Sequence, residues 1–205
     1  MTDTLTLYSF GKTDRSAKVR WLANELGLPI DEVPVKFGEQ RKAPYRQVNP
    51  FGVVPSAVFR DVHLKESGAI CEYLCEQFPA SGLRLRPDDP RFGDFLYWCY
   101  LANTHFESDI VNYTLSRMGI MDGNFAPLLK PGITARFDIL VGLLPATGYL
   151  MGEQFTLADI LMGYVVQLGV TSGVLPYPSV APYLSLLMSR PAAQAAHVFD
   201  KVRVS

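Results

Sequence analysis

Residues 49–59 read NPFGVVPSAVF, and they place a proline directly before a segment that predicts a β-strand. Proline has no backbone N–H to donate to a sheet, so it is tolerated at the start or edge of a strand and excluded from the middle. It is also the residue whose preceding peptide bond adopts the cis form at low cost. Pro55 therefore either marks a strand boundary or exposes a backbone edge that another group must satisfy.

Upstream of this proline, the chain predicts a β-α-β unit. Residues 4–10 alternate threonine with leucine and end on aromatic side chains, which is typical of a short strand. Residues 14–26 carry apolar side chains at helical spacing, and Gly27 supplies a stop. Residues 30–36 predict a second strand, and Pro34 favours a position at the sheet edge. Two strands joined in this way run parallel.

Downstream, the chain predicts a hairpin followed by a helix. The segments SAVF (56–59) and VHLK (62–65) predict two antiparallel strands. A helix then starts at Ser67 and carries one stripe of apolar side chains: Ile70, Cys71, Leu74, Cys75 and Phe78. The order β-α-β and then β-β-α predicts a mixed four-stranded α/β domain over residues 1–79.

Beyond residue 79 the strand signals disappear. The segment ASGLRLRPDDP (80–90) is rich in proline, glycine and charge, and it predicts a linker. Residues 91–205 predict an all-helical domain, whose helices are expected at about 92–110, 133–144, 156–171, 179–189 and 191–198.

One of these helix starts carries a specific folding signal. Thr156 can cap the helix, and Asp159 stands at the third helical position, where its carboxylate can accept the N–H of the cap. Phe155 and Ile160 have the spacing of a hydrophobic staple. This pattern predicts where a helix begins and does not predict a catalytic or binding site.

The composition argues against several classes of protein. The chain has 205 residues, of which 48% are hydrophobic and 19% charged, with a net charge of −1. A nucleic-acid-binding protein usually carries a basic excess. No apolar run approaches the roughly 20 residues that cross a bilayer, and the N-terminus lacks the pattern of a signal peptide. We expect a cytoplasmic globular protein.

The three cysteines, Cys71, Cys75 and Cys99, have no disulfide-framework spacing. Cys71 and Cys75 lie four residues apart on the predicted helix, but no histidine or further cysteine is spaced to complete a metal site. Free cysteine commonly packs as a small hydrophobic side chain. We therefore expect core packing and no metal.

The segments NPFGVVP (49–55), LKESGAICEYL (64–74) and YLMGEQFTLADI (149–160) follow one another in the chain. They resemble three motifs of the glutathione transferase family: the signature ahead of its cis-proline, its Glu-Ser signature and its capping motif. GEQRKAPYRQVNPFG (38–52) is similar in spacing to plant phi-type and bacterial members. The resemblance runs from residue 5 to about 195. It implies a thioredoxin-like first domain followed by the family's all-helical domain.

The resemblance implies that glutathione is a co-substrate, whose thiol is activated as a thiolate and attacks a small hydrophobic electrophile, as in detoxification. It also implies a homodimer. Pro55 is expected to be cis, and Val54 to present free backbone N–H and C=O groups. The cysteinyl unit of glutathione would pair with them as an added strand does.

The resemblance also implies which residues hold the two ends of glutathione. Ser67 would bind the γ-glutamyl carboxylate at a helix N-terminus, where N–H groups favour an anion, and Glu66 would face the α-amino group. Gln40 and Arg41 would contact the glycyl carboxylate, with Lys42 as a possible substitute. Alternatively, Ser67 only caps its helix, and EQRK (39–42) is only a solvated charge run.

The residue that activates the thiol is less sharply defined. In serine- and cysteine-type members it lies six positions before a hydrophobic residue of the first helix, and counting back from Val19 gives Thr13. Its hydroxyl can donate to the glutathione sulfur, although threonine is not the usual residue here. Tyr8 and Ser16 also carry hydroxyl groups and compete for the role. As a structural alternative, Thr13 or Asp14 merely caps the helix.

Phe10, Phe106 and Tyr113 are predicted to line the electrophile pocket, between the two domains, although aromatic side chains at helical spacing are more often core. Two other functions stay open at this point. One is a glutathione-dependent peroxidase or reductase, which Thr13 disfavours because reductases of the family typically have cysteine there. The other is a non-catalytic glutathione-binding module, since one fold serves many roles.

Overall fold

The computed structural model describes residues 3–11 and 14–204. The chain forms two compact units. The first consists of Met1–Arg84 together with Arg190–Val198, and the second of Leu85–Ser189 together with Phe199–Ser205. A short C-terminal segment, which the sequence analysis assigned to the helical domain, therefore belongs to the first unit.

The first unit contains the predicted mixed sheet. Its strands are β1 (Leu5–Ser9), β2 (Ile30–Pro34), β3 (Ser56–Phe59) and β4 (Val62–Lys65). The spatial order is β2-β1-β3-β4, with β1 and β2 parallel and the other pairs antiparallel. Pro34 ends an edge strand, where a missing N–H does no harm. The predicted strands, their pairing and the edge position are confirmed.

Besides its C-terminal segment, the described part of the first unit contains three α-helices. They are α1 (Ser16–Glu25), α3 (Ser67–Gln77) and a short α2 (Ala43–Val48), which follows a 3₁₀ turn at Glu39–Arg41. The apolar patterns predicted two of them, α1 and α3. The sequence analysis missed α2 and the turn, because this segment buries little more than Gln40 and Tyr45 and so has no apolar period. Helices this short depend on tertiary contacts.

The C-terminal segment of the first unit is held by an ion pair. The guanidinium of Arg190 donates to both carboxylate oxygens of Glu25, each at 2.7 Å. Asn24 Nδ2 donates to the Ala192 carbonyl at 3.2 Å. These bonds join α9 (Pro191–Ala195) to the C-terminal end of α1.

As far as the structure describes it, the second unit is built mainly of helices, with two isolated β-bridges in the segment between the last two long helices. Its helices are α4 (Phe92–Tyr100), α5 (Glu107–Arg117), α6 (Phe125–Leu143), α7 (Leu157–Thr171) and α8 (Ala181–Met188). A π-helical stretch, Leu101–Phe106, interrupts the stripe that the sequence predicted as one helix. Within the described part of the chain, no helix has both the length and the apolar character to cross a bilayer.

The predicted start of α6 at residue 133 was wrong. The helix begins at Phe125, with Pro127 in its first turn and Pro131 inside it. Proline is well tolerated in a first turn, because the N–H groups there have no intrahelical partner. In the sequence, Pro131 and Gly132 together look like a helix-breaking pair. The helix nevertheless continues through them, because the buried side chains of Ile133, Phe137 and Leu140 anchor it in the core.

The predicted start of α7 is confirmed. The Asp159 carboxylate accepts the N–H of Thr156 at 2.9 Å, and the capping box is complete. The same carboxylate accepts the N–H of Leu150 at 2.9 Å and the hydroxyl of Tyr183 at 3.2 Å. Burial raises the pKa of Asp159, although these donors act in the opposite direction. One buried carboxylate therefore holds three separate segments of the helical unit.

All three cysteines are buried and unbonded to one another, as expected for core packing. Burial raises the pKa of the Cys75 thiol, which keeps it protonated and unreactive. Residues 3–11 and 14–204 contain no group of three or more His, Cys, Asp or Glu side chains that could hold a metal ion.

Replacing Asp159 by alanine should lower the free energy of unfolding by about 2–4 kcal/mol. The substitution removes the helix cap and leaves two N–H groups and a tyrosine hydroxyl without their buried acceptor. Urea unfolding followed by circular dichroism measures the change.

Asp138→Ala is the matched control, because Asp138 lies exposed on α6. It should change the unfolding free energy by less than about 0.5 kcal/mol. Equal effects of the two substitutions would contradict the role given to the Asp159 network.

Candidate functional site

The strand register gathers the predicted site residues at one end of the sheet. Tyr8 of β1 pairs with Ser56 of β3, and Ser56 pairs with Lys65 of β4. Val54 and Pro55 directly precede Ser56, and Glu66 and Ser67 directly follow Lys65. The pairing alone therefore brings two of the quoted motifs together.

The loop before β3 presents Val54. The Val54–Pro55 peptide bond is cis, which confirms the expectation from the sequence. The structure records no hydrogen bond from any described residue to the N–H or C=O of Val54. The Val54 side chain is buried in a small cluster with Val35 and Tyr45. Val54 thus has a fixed side chain and an available backbone.

Side chains hold the residues on either side of Val54 and Pro55. The carbonyl of Val53 accepts the Tyr45 hydroxyl at 2.8 Å and Asn49 Nδ2 at 3.0 Å. The Ser56 hydroxyl lies 3.0 Å from the Tyr45 hydroxyl and accepts Asn49 Nδ2 at 3.3 Å. We call the set of Tyr45, Asn49, Val53 and Ser56 the Val53–Ser56 network.

Gly52 lets this loop pack against the turn that carries Gln40 and Arg41. Its φ is +63°, and a Cβ there would lie 2.8 Å from the Gln40 carbonyl oxygen. Only glycine suits both the angle and the close approach. Gln40 is buried, and its Oε1 accepts the N–H of Gly38 at 2.6 Å. Arg41 is exposed, so its guanidinium is open to solvent.

Lys42, the possible substitute for Arg41, pairs with Glu39 at 2.6 Å. Both side chains are more than half exposed, so the pair contributes little to stability. Of the three predicted contacts for the glycyl carboxylate, Gln40 is thus turned inward, Arg41 is open, and Lys42 has an acidic neighbour.

Glu66 and Ser67 form the start of α3. Glu66 adopts φ +65°, an unusual value for a residue other than glycine, and its carbonyl accepts the Ile70 N–H at 2.8 Å. Glu66 is therefore the N-cap, and Ser67 is the first helical residue. The expectation that Ser67 caps the helix was wrong, because no side-chain capping bond forms. Helix N-termini of this kind favour anions.

Thr13, the predicted activator, and its neighbour Lys12 lie outside the described residues. The flanking positions are ordered by Asp14, which accepts the N–H of Phe10 at 2.5 Å and the N–H of Ser16 at 2.6 Å. The N-cap of α1 is Arg15, so Asp14 lies one residue before the cap and is not the cap itself, although its carboxylate accepts the N–H of the first helical residue. Burial raises the pKa of its carboxyl, although these hydrogen bonds counter the effect.

Ser16, a competing activator, lies in a buried polar cluster. Its hydroxyl accepts a bond from Arg20 at 3.1 Å and lies 3.4 Å from the Gly11 carbonyl. Arg20 also donates to Gly11 O at 2.9 Å and to both carboxylate oxygens of Glu32. Ser9 donates to the same carboxylate. The cluster ties the loop after β1 to β2 and α1.

Tyr8, the other competitor, is half-buried at the end of β1. Its ring meets that of Tyr45 edge-to-face, with the ring centroids 6.0 Å apart. It packs against the cluster that contains Val54. Tyr8 is therefore next to the candidate glutathione backbone site, with its aromatic ring serving a packing role.

The three residues predicted for the electrophile pocket differ in exposure. Phe10 is 36% exposed and packs edge-to-face on Phe37, whose ring centroid is 5.5 Å away. Phe37 is 63% exposed, and the sequence analysis did not single it out.

The other two pocket residues are buried inside the helical unit. Phe106 packs against Phe137 with ring centroids 5.1 Å apart, and the Arg117 guanidinium lies 5.8 Å from the Tyr113 ring. Both are nearly inaccessible within this unit. Their place in an electrophile pocket stays a prediction.

Comparison with known proteins bears on the family. The model of the glutathione S-transferase N-terminal domain matches residues 7–82, which span the sheet, Val54 and the start of α3. This match and the curated relatives support the glutathione S-transferase family. Those relatives are named glutathione S-transferases, which supports an enzyme of this class.

The similarity to two of the following three proteins extends over most of this chain. Glutathione S-transferase 3 of Zea mays is 27% identical over 93% of this chain and 91% of its own length. Protein LigF of a Sphingobium strain is 43% identical, but over 50% of this chain and 41% of its own. A Sulfitobacter glutathione transferase homologue, solved with bound glutathione, is 27% identical, with a TM-score of 0.78 and coverage of 95% and 97%.

The sequence analysis missed the residues that support this candidate site. Tyr45 and Asn49 lie inside the quoted motifs, but nothing in the sequence shows that their side chains reach Val53 and Ser56. Arg20 and Glu32 are separated by a loop and a strand boundary. A charged residue among the apolar positions of α1 is the one available signal for Arg20.

Glu32→Gln should lower the free energy of unfolding at pH 7 by about 1–2 kcal/mol. It removes a charge-assisted hydrogen-bond pair, although the 34% exposure of the Glu32 side chain weakens the effect by screening. Urea unfolding at a series of pH values measures the difference. Asp31→Asn, at an exposed position of the same strand, is the control.

The difference between wild type and Glu32→Gln should depend on pH. Partial burial would raise the pKa of Glu32, but hydrogen bonds from Arg20 and Ser9 outweigh it and hold the pKa below its ordinary value. The stabilisation is therefore complete above the unfolded-state pKa of about 4.3. It should disappear as the pH falls through the lower folded-state pKa. A difference that persists in acid would contradict this assignment.

Proposed function

We propose that this transferase binds glutathione along the loop before β3, activates its thiol, and transfers it to a small hydrophobic electrophile. The observation that carries the proposal is the backbone of Val54, which has no hydrogen-bond partner among the described residues. The pairing of Ser56 with Lys65 brings Val54 and the start of α3 to the same end of the sheet. A peptide-like ligand can pair with such a backbone as an added strand. The bound glutathione in the Sulfitobacter homologue supports the same ligand here.

Two other segments of the first unit carry residues that suit the charged ends of glutathione. Ser67 and the free N–H groups at the start of α3 would hold the γ-glutamyl carboxylate, with Glu66 facing the α-amino group. Arg41 is exposed, and its guanidinium can bind the glycyl carboxylate, with Gln40 beside it. These contacts need no metal.

The chemical step requires a thiolate. A free thiol has a pKa of about 8.5, so little of it is ionised at neutral pH. We propose that the Thr13 hydroxyl donates to the sulfur at the N-terminal end of α1 and lowers this pKa by about 1–2 units, with each unit worth about 1.4 kcal/mol. The thiol proton leaves to solvent, and the thiolate then bonds to an electrophilic carbon of the second substrate as the leaving group on that carbon departs with its bonding electron pair. Of the three predicted pocket residues, Phe10 is the exposed one that can contact this substrate.

An ultraviolet difference titration of the glutathione complex between pH 5 and 9 tests this activation. The bound thiol should ionise well below pH ~8.5. Thr13→Ala should raise the pKa of the bound thiol towards that value, and Thr13→Ser should restore the wild-type titration. If Thr13→Ala titrates as wild type does, Tyr8→Phe and Ser16→Ala test the competing hydroxyl groups.

Ser67→Ala should raise the dissociation constant of glutathione about 5- to 20-fold, because a hydrogen bond to a charged carboxylate is lost. Isothermal titration calorimetry measures it. Ser108→Ala, at an exposed position of α5, should bind as wild type does. Unchanged binding by Ser67→Ala would argue against the proposed orientation of glutathione.

The titration tests one of the other functions, and a turnover assay tests the second. A non-catalytic module would bind glutathione with an unshifted thiol. A peroxidase or reductase would turn over a peroxide or a mixed disulfide in place of an aryl electrophile.

We also propose a homodimer in the cytoplasm. Light scattering at micromolar concentration tests the dimer, and a monomer mass would contradict it.

A further inference from the structure

We infer that Tyr45 is a positioning residue, whose hydroxyl fixes the backbone of Val54 for pairing with glutathione. The inference rests on the proposed function, because it assigns a role within the same site. Tyr45 itself is not expected to touch glutathione. It acts through the two residues that flank the Val54–Pro55 pair.

The geometry of the Val53–Ser56 network carries the inference. The single Tyr45 hydroxyl lies 2.8 Å from the Val53 carbonyl and 3.0 Å from the Ser56 hydroxyl. It therefore spans the two residues between which Val54 and Pro55 stand. Asn49 contacts the same two atoms from a second direction. The segment is held at both ends, while the Val54 N–H and C=O remain available.

Among residues 3–11 and 14–204, no backbone hydrogen bond to Val53 is recorded. β3 begins at Ser56, so the sheet ladder does not reach Val53. Pro55 has no N–H to contribute. A side-chain donor is therefore needed to orient the Val53 carbonyl. This carbonyl accepts two side-chain hydrogen bonds, and the one from Tyr45 is shorter than the one from Asn49.

The Tyr45 phenol suits this role. Its ring is buried with Val35 and Val54 and contacts Tyr8 edge-to-face, so the hydroxyl is aimed by packing. Burial also raises the pKa of Tyr45, which keeps the phenol protonated and able to donate at neutral pH. The ring contributes packing and the hydroxyl contributes positioning, and the two are separable by mutation.

Tyr45→Phe tests the inference because it removes the hydroxyl and keeps the ring. We expect the dissociation constant of glutathione, measured by titration calorimetry, to rise about 3- to 10-fold. The reason is the loss of the hydroxyl that bonds to the Val53 carbonyl and the Ser56 hydroxyl. The pKa of the bound thiol, measured by ultraviolet titration, should not change, because Tyr45 orients the peptide backbone and not the sulfur. Tyr73→Phe, on α3 of the same unit, is the matched control and should bind as wild type does.

Ser56→Ala supplies a second, independent variant. It removes the other end of the Tyr45 contact, so the double variant should lose less than the sum of the two single losses. Hydrogen exchange gives a readout that general destabilisation would not produce: glutathione should protect the Val54 amide in wild type and protect it less in Tyr45→Phe.

The outcomes separate this inference from the proposed function. If Tyr45→Phe binds glutathione as tightly as wild type while Ser67→Ala binds weakly, the positioning role is wrong and the proposed function stands. If Tyr45→Phe shifts the thiol pKa, Tyr45 acts on the sulfur and the inference is also wrong. If wild type does not bind glutathione, the proposed function fails first, and the role of Tyr45 fails with it.

Discussion

The requirement that backbone N–H and C=O groups find partners governs the functional end of the sheet. The ladder of β3 begins only at Ser56, and Pro55 has no N–H, so the loop from Asn49 to Pro55 cannot be ordered by sheet bonds. Side chains take over this task at Val53 and Ser56. Val54 keeps its backbone unpaired among the described residues as a result, and this backbone is the proposed pairing site for glutathione.

A second constraint acts on the loop after β1, where charge replaces backbone pairing. Arg20 is nearly buried, with 8% of its side chain exposed, and a buried charge is stable only when it is paired and hydrogen bonded. Glu32 supplies the pairing, and Gly11 and Ser16 take the remaining hydrogen bonds. The charge pair thereby also orders the chain on both sides of the predicted activator.

Local signals predicted most of the fold. The hairpin of β3 and β4, the parallel β1–β2 pair and the start of α7 each depend on neighbouring residues, so alternation, turn residues and a capping box were sufficient. The start of α6 and the short α2 were predicted wrongly or missed. In both, tertiary packing overrides a local pattern: Phe137 anchors a helix that contains Pro131, and Tyr45 anchors a helix with no apolar period.

The sequence by itself determined the order of the four strands and the start of α7, the resemblance to the family, and the motif around Pro55, because these depend on residues close together in the chain. Tertiary structure alone decided that Tyr45 and Asn49 reach Val53, that Arg20 pairs with Glu32, and that Ser67 begins its helix without capping it. These are contacts between side chains brought together by strand register and packing. Their partners are set by distances in space, which the chain acquires only on folding.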